Sequence, residues 1–449
     1  MVYNHYYGNK RTIPKEFFVT DAQGEREAIL KAIRPQGCLF ILLFLFLGYA
    51  LSVSSRTTHF APEAQPFNEF AFDLYRQLGT TDQNLILSPY SLSSLLVILA
   101  NGASGNTQQQ LNQALHFPPG NTNHAAELAQ INTALMPDGD CQGWLSCKFK
   151  HAGKWFGFNQ SSTFLIANSF WAEERLIYKT PFLAAMGQIN HFYRVNFNKA
   201  PEAARQRINN WVEEKTDQYI KELITPGMIN RATQLILVNA IYFNGVWESP
   251  FKPEATEQKP FLLSDGNPLQ TAMMGKLDNF FYSENDRLQM LQLPYLKSTI
   301  RMAVLLPKPT HSVKEIRQTL TQVTFAQLLQ NATNRKVLVS LPKFKLASTF
   351  KSLKQPLQQM GVIDAFSDKA DFSNITTSAL AISDIIQKAV IEVDEKGTVA
   401  AAATAVVMFG SAVQQPMEFN ANHPFLFILY DTQSGVILFI GQVFNPQKE

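Results

Sequence analysis

The chain has 449 residues, 46% of them apolar and 17% charged, with a formal net charge of +3. That is a globular composition with ample material for a core, and it excludes a protein that binds nucleic acid or another polyanion through bulk charge alone. Of three cysteines, Cys38 borders an apolar run, which leaves Cys141 and Cys147 either to close a small loop in an oxidising compartment or to stand as two free thiols.

Residues 1–37 form a polar leader that carries Lys10, Arg11, Lys15, Arg26, Lys31 and Arg34. The run 38–53 has no charge and is rich in Phe and Leu. It falls slightly short of the ~18–20 residues of a membrane span and is long for the ~7–15 of a signal-peptide core. The segment 38–54 is therefore read as an export signal, either cleaved near Ser54 or kept as an anchor with the basic leader inside, the long leader favouring the anchor. Residues 55–66 read as a linker. The expected location is extracellular or in the cell envelope.

Phe67, Phe70, Phe72, Leu74 and Leu78 recur at helical spacing. A second helix is expected from Pro89, which lacks only an N–H that a first turn does not need, with Ser88 as its cap. Residues 124–135 look helical and hold no Lys or Arg. In 137–162, Lys148, Lys150, His151 and Lys154 are interleaved with Trp144, Phe149, Trp155, Phe156 and Phe158. Such a mixture either binds a polyanion, a glycan or a membrane surface, or folds a loop back on the body, and the second is expected. Strands are expected over 163–172, 235–243, 300–307, 337–344 and 386–393, and helices over 208–216 and 353–366. The strand 235–243 is apolar but for Asn239, and Asn244-Gly245 marks a turn before Trp247.

The stretch 394–416 organises the rest. A charged turn, Asp394-Glu395-Lys396, leads into Gly397, Thr398 and Val399, then Ala400, Ala401, Ala402, Ala403, Thr404 and Ala405, and ends past Met408, Phe409, Gly410, Ser411 and Ala412 at Pro416. Gly397 suits a hinge. As a strand, 398–406 would present small side chains on both faces. Composition alone leaves an alanine helix or an aggregation-prone core strand open as well.

Asp394-Glu395-Lys396-Gly397-Thr398 followed by Ala400 to Ala403 resembles the hinge of the serpin reactive-centre loop. Asn422-His423-Pro424-Phe425 and Gly441-Gln442-Val443-Phe444-Asn445-Pro446 resemble the strands that end a serpin chain. The resemblance runs over roughly 67–449 as one domain, with 137–162 as an insertion. It implies an α+β serpin fold with a large central sheet, further sheets, about eight to nine helices and an exposed reactive-centre loop. It also implies that Ser88, Ser91 and Asn239 form the polar shutter under the main sheet, with Gln387 where the family commonly has histidine, and that Trp247 sits at the breach. Gln387 can hydrogen-bond Ser88 or Asn239 but cannot titrate near neutral pH.

The function so implied is suicide inhibition of a secreted serine protease, with a cysteine protease as second choice. Counting Glu395 as the seventeenth residue before the cut puts the reactive bond at Ser411–Ala412, which suits elastase-like or subtilisin-like targets. A shorter register makes Phe409 or Met408 the bait, Phe409 for a chymotrypsin-like target. The alternative is a non-inhibitory member acting as a carrier, a chaperone or a surface-anchored binding protein. Thr398, Ala400, Ala402 and Thr404 argue for insertion, because non-inhibitory members tend to carry bulky or charged hinges. A monomer is expected, without heparin-type activation through 124–135. No catalytic elbow, metal-ligand spacing or phosphate loop occurs in the sequence, so no enzyme activity, cofactor or metal is expected. The sequons at Asn159, Asn331 and Asn374 are candidate glycan acceptors only.

Overall fold

A computed structural model describes residues 61–118, 163–189, 191–395 and 416–448, with isolated positions between 126 and 131 and, for 146–150 and 185–189, the backbone alone. The leader 1–37, the apolar segment 38–54, Cys141 and the loop 396–415 lie outside the described residues, as does the side chain of Cys147.

The first helix, α1 (Gln65–Leu78), buries Phe67, Phe70, Ala71 and Leu74, the apolar positions of one face. A short strand β1 (Leu85–Leu87) leads into α2 (Pro89–Gly102), which is buried all round because it sits in the core of the fold. Then come α3 (Gly105–Ala114), β2 (Ser146–Lys150), β3 (Thr163–Glu173), α4 (Thr180–Ile189), β4 (Phe192–Val195), α5 (Pro201–Lys215) and β5 (Leu235–Asn244). Four antiparallel strands follow, β6 (Thr256–Leu262), β7 (Pro268–Glu284), β8 (Leu288–Pro294) and β9 (Ile300–Pro307). Two short helices, α6 (Val313–Thr319) and α7 (Gln322–Gln330), lead to β10 (Thr333–Pro342) and β11 (Phe344–Phe350). The chain ends with α8 (Lys354–Gln359), β12 (Asp384–Val393), β13 (Met417–Asn420), β14 (Phe425–Asp431) and β15 (Ile437–Val443).

The architecture is α+β with two sheets. The larger has nine strands in the order β1-β15-β14-β9-β8-β7-β10-β13, with β6 beside β7. The other has six, β11-β12-β5-β3-β2, with β4 also on β3. One face of the six-stranded sheet packs on the main core. The other is covered by α5, whose Ile208, Trp211 and Val212 meet Leu165, Ala167, Ile236, Val238, Ala240, Ile386 and Val390. Burial on both faces is why β3, β5 and β12 read as nearly continuous apolar runs.

The structure corrects several sequence expectations. The expected helix 353–366 is α8 alone. It stops at Gln359, and Gly361 takes a φ of +96° before a short 3-10 turn at Asp364–Phe366. The expected strand 337–344 is two strands, because the chain changes sheet at Lys343. Part of the 137–162 segment is the edge strand β2, antiparallel to β3 from Ser146↔Ala167 to Lys150↔Thr163.

Candidate functional site

The strands β5 and β12 lie side by side and parallel, in register from Asp384↔Ile236 to Glu392↔Asn244. Parallel neighbours need a long crossover, and here the chain reaches β12 only after six strands and three helices. The geometry has a consequence for the segment that leaves β12. A chain that turns back after Val393 runs antiparallel to β12 and, because β5 is parallel to β12, antiparallel to β5 as well. A strand entering this seam would thus gain antiparallel ladders on both sides.

Across the middle of the sheet runs a polar row. Asn168 of β3 pairs with Asn239 of β5, and Asn239 pairs with Gln387 of β12. Gln387 Nε2 donates to Asn239 Oδ1 at 2.6 Å and to the Ser88 carbonyl at 3.0 Å, while its Oε1 accepts from Ser88 N–H at 3.2 Å. Asn239 Nδ2 donates to Ser91 Oγ at 2.5 Å and to Asn168 Oδ1. Ser91 Oγ donates to Asn168 Oδ1 at 2.9 Å, and Asn168 Nδ2 returns a bond to the Ser91 carbonyl at 3.3 Å. All five residues are buried. A network so fully satisfied stabilises one arrangement of the strands, and it becomes costly once any member loses its partner. The Asn239–Gln387 bond crosses the seam, so strands cannot part there without breaking it.

The structure thus brings together Ser88, Ser91, Asn239 and Gln387, and adds Asn168, which the sequence analysis missed. Its signal was present, since Asn168 interrupts the apolar run 164–172 as Asn239 interrupts 235–243. The expected cap at Ser88 is corrected. Ser88 precedes Pro89 at the helix start, but its hydroxyl donates to the Leu438 carbonyl at 2.8 Å and caps nothing.

The upper end of the seam is held by different chemistry. Trp247 lies in face-to-face stacking with Tyr295, centroids 4.5 Å apart, and its Nε1 donates to the Asp394 carbonyl at 3.0 Å. Glu395 receives Thr256 Oγ1 at 2.8 Å and ion-pairs with Lys343 Nζ at 2.7 Å. Partial burial pushes the Glu395 carboxyl up, but the hydrogen bonds from Lys343, its own backbone and Thr256, with the Lys343 charge, outweigh it and hold the carboxyl below its ordinary value. These contacts fix Asp394 and Glu395 just past the end of β12. Below them, the connection after α5 spans the seam. Tyr219 stacks on Tyr242 of β5 at 3.9 Å, and Lys388 of β12 donates to the Lys221 carbonyl at 3.4 Å.

The expected hinge residues Gly397, Thr398, Ala400, Ala401, Ala402, Ala403 and Thr404, and the candidate bait residues Met408, Phe409, Ser411 and Ala412, lie outside the described residues. Among the described residues, no cluster of three or more His, Cys, Asp or Glu side chains is placed to hold a metal ion, and no helix is long and apolar enough to cross a membrane.

Comparison with known proteins gives a consistent family. Residues 65–446 match the family described as serpin (serine protease inhibitor). The chain is 35% identical over 393 residues to an uncharacterized serpin-like protein of Methanosarcina acetivorans, covering 85% of this chain and 86% of that one. It is 35% identical over 391 residues to human serpin B3, covering 84% of this chain and 98% of that one. Among solved structures, uncleaved ovalbumin superposes with a TM-score of 0.72 at 25% identity, over 86% of this chain and 100% of that one. Native protease nexin-1 with heparin gives 0.72 at 28% identity, over 86% and 99%.

Proposed function

This chain belongs to the serpin family, and from that premise we propose that it is a suicide-substrate inhibitor of a secreted serine protease. Strand insertion is the family's known behaviour, and the feature of this chain that best supports it is the parallel β5–β12 seam crossed by the Asn239–Gln387 bond. The protease's nucleophilic hydroxyl attacks the carbonyl of Ser411. The peptide bond to Ala412 breaks, the new amine leaves, and residues up to 411 remain as an ester on the enzyme. The freed arm, beginning at Thr398, then enters the seam as an antiparallel strand. Its small side chains pass between β5 and β12 with little steric cost, and each new ladder adds main-chain hydrogen bonds. The ester travels with the strand and its hydrolysis is outrun.

A small residue before the cut suits elastase-like or subtilisin-like enzymes. The run 38–53 is proposed to carry the domain out of the cell, cleaved or as an anchor. Because 124–135 lacks Lys and Arg, heparin is not expected to accelerate the reaction.

The test is to mix the protein with elastase, subtilisin and chymotrypsin and run denaturing gels. A covalent complex, with a released peptide that begins at Ala412, is the expected result. A peptide beginning at Gly410 moves the bait to Phe409. Clean cleavage by all of them without any complex rejects inhibition and leaves a non-inhibitory carrier or binding protein.

A further inference from the structure

The outer face of β7, β10 and β13 carries large apolar side chains that no described element covers. On β7, Phe280 and Tyr282 point into the core, so Leu277, Asn279 and Phe281 face outward. Leu277 is 49% exposed and pairs directly with Leu338 of β10, itself 43% exposed. Phe281 is 40% exposed, with the Arg301 guanidinium 4.8 Å from its ring. Asn279 and Lys336 lie together in a neighbouring register pair, and Glu418 of β13 flanks Leu338. Apolar anchors inside a polar rim are the anatomy of a protein docking surface.

The position of the patch says what would cover it. Met417, the residue after Pro416, pairs with Val337, one place from Leu338. The reactive bond proposed at 411–412 is six residues before it, and an extended chain reaches at most about 3.3–3.6 Å per residue, so the bond stays within roughly 20 Å of Met417 on any path. A protease domain of roughly 230 residues has a radius of gyration of about 17 Å. An enzyme engaged at that bond therefore has its body within reach of this end of the sheet. Resting on the inhibitory reading above, we infer that Leu277, Phe281 and Leu338 form a docking surface for the body of the target protease, outside its active-site cleft. Trapping is a competition between dissociation of the encounter complex and acylation, so a contact that slows dissociation raises the trapping rate.

The experiment measures the second-order rate of covalent-complex formation by full-length protein with pancreatic elastase, subtilisin and chymotrypsin. Protein carrying Leu277→Ser and Leu338→Ser is compared with wild type and with Val323→Ser, whose side chain is 64% exposed on α7. With each protease that wild type traps, the double variant should react about ten-fold more slowly or worse. Its stoichiometry of trapping, which reads loop insertion alone, should stay at the wild-type value, and Val323→Ser should match wild type throughout. A double variant that reacts as fast as wild type, or a Val323→Ser protein slowed equally, overturns the docking surface while inhibition stands. If wild type traps none of the three, the inhibitory reading fails and the docking surface fails with it.

Discussion

Asn239 bonds in three directions, to Asn168, Ser91 and Gln387, and the last bond joins strands that insertion must separate. Asn239→Ala leaves buried partners unsatisfied and should lower native stability by about 1–3 kcal/mol, read as a lower urea midpoint. Because the same substitution unlatches the seam, loss of inhibitory activity on warming should quicken as well. Glu395 gives a pH signature. Its carboxyl is held below its ordinary value of 4.5, so it contributes stability that is complete above that value and disappears as pH falls through the lowered one. Glu395→Gln should remove this part of the acid limb, seen as a smaller fall in the urea midpoint below about pH 4.5. His116 has the opposite sign. The hydrogen bond to Asp73, against the opposing effect of burial, raises it above 6.5, with the Asp73 and Glu69 charges helping and Arg76 opposing. Its contribution is complete below 6.5 and fades as pH rises through the raised value, so His116→Gln should flatten stability on the alkaline side. At this scale the sequence was legible where a polar residue broke a buried strand, as at Asn239, while Ser88, Ser91 and Gln387 were placed by the family resemblance. The Lys343–Glu395 pair was not, because only the β11–β12 register Phe344↔Val393 brings the two residues to one end of the sheet.

Among the elements, β3, β5 and β12 were readable because both their faces are covered, which leaves apolar runs that no surface strand would show. The short helices were not. α6 and α7 are too brief for a clear period, although the capping boxes at Ser312–Glu315 and Thr321–Thr324 were written in the sequence. The over-long helix at 353–366 failed on one residue. A Cβ at Gly361 would meet open space, so only the backbone forbids another residue there. Gly361→Ala should therefore cost about 1–2 kcal/mol, measured as a lower midpoint of unfolding with inhibition intact. Thr398→Arg separates the two roles proposed for 396–415, as bait and as strand. It puts an unpaired charge into the inserted strand, so the variant should be cleaved as an ordinary substrate with no covalent complex on a denaturing gel. Undiminished trapping would count against insertion.

For the whole molecule, the inhibitory reading implies a native state held at the seam, by its polar row and the anchors at Trp247 and Glu395, behind a barrier and not by lying lowest in free energy. Insertion would add a strand to the six-stranded sheet, so the protein cut in its loop should unfold at a higher temperature than the intact one. That expectation depends on β5 and β12 parting, and parting can be blocked. Ala240 and Lys388 are register partners on the α5 side of the seam, and neighbouring strands lie about 4.8 Å apart, within reach of a disulfide. With Cys38, Cys141 and Cys147 changed to serine, Ala240→Cys and Lys388→Cys would staple the strands. The deciding measurement is the fraction of protease trapped by this protein, oxidised and then reduced. Cleavage without trapping when oxidised, with trapping restored on reduction, is the predicted result; equal trapping in both states would show that the loop does not enter between β5 and β12.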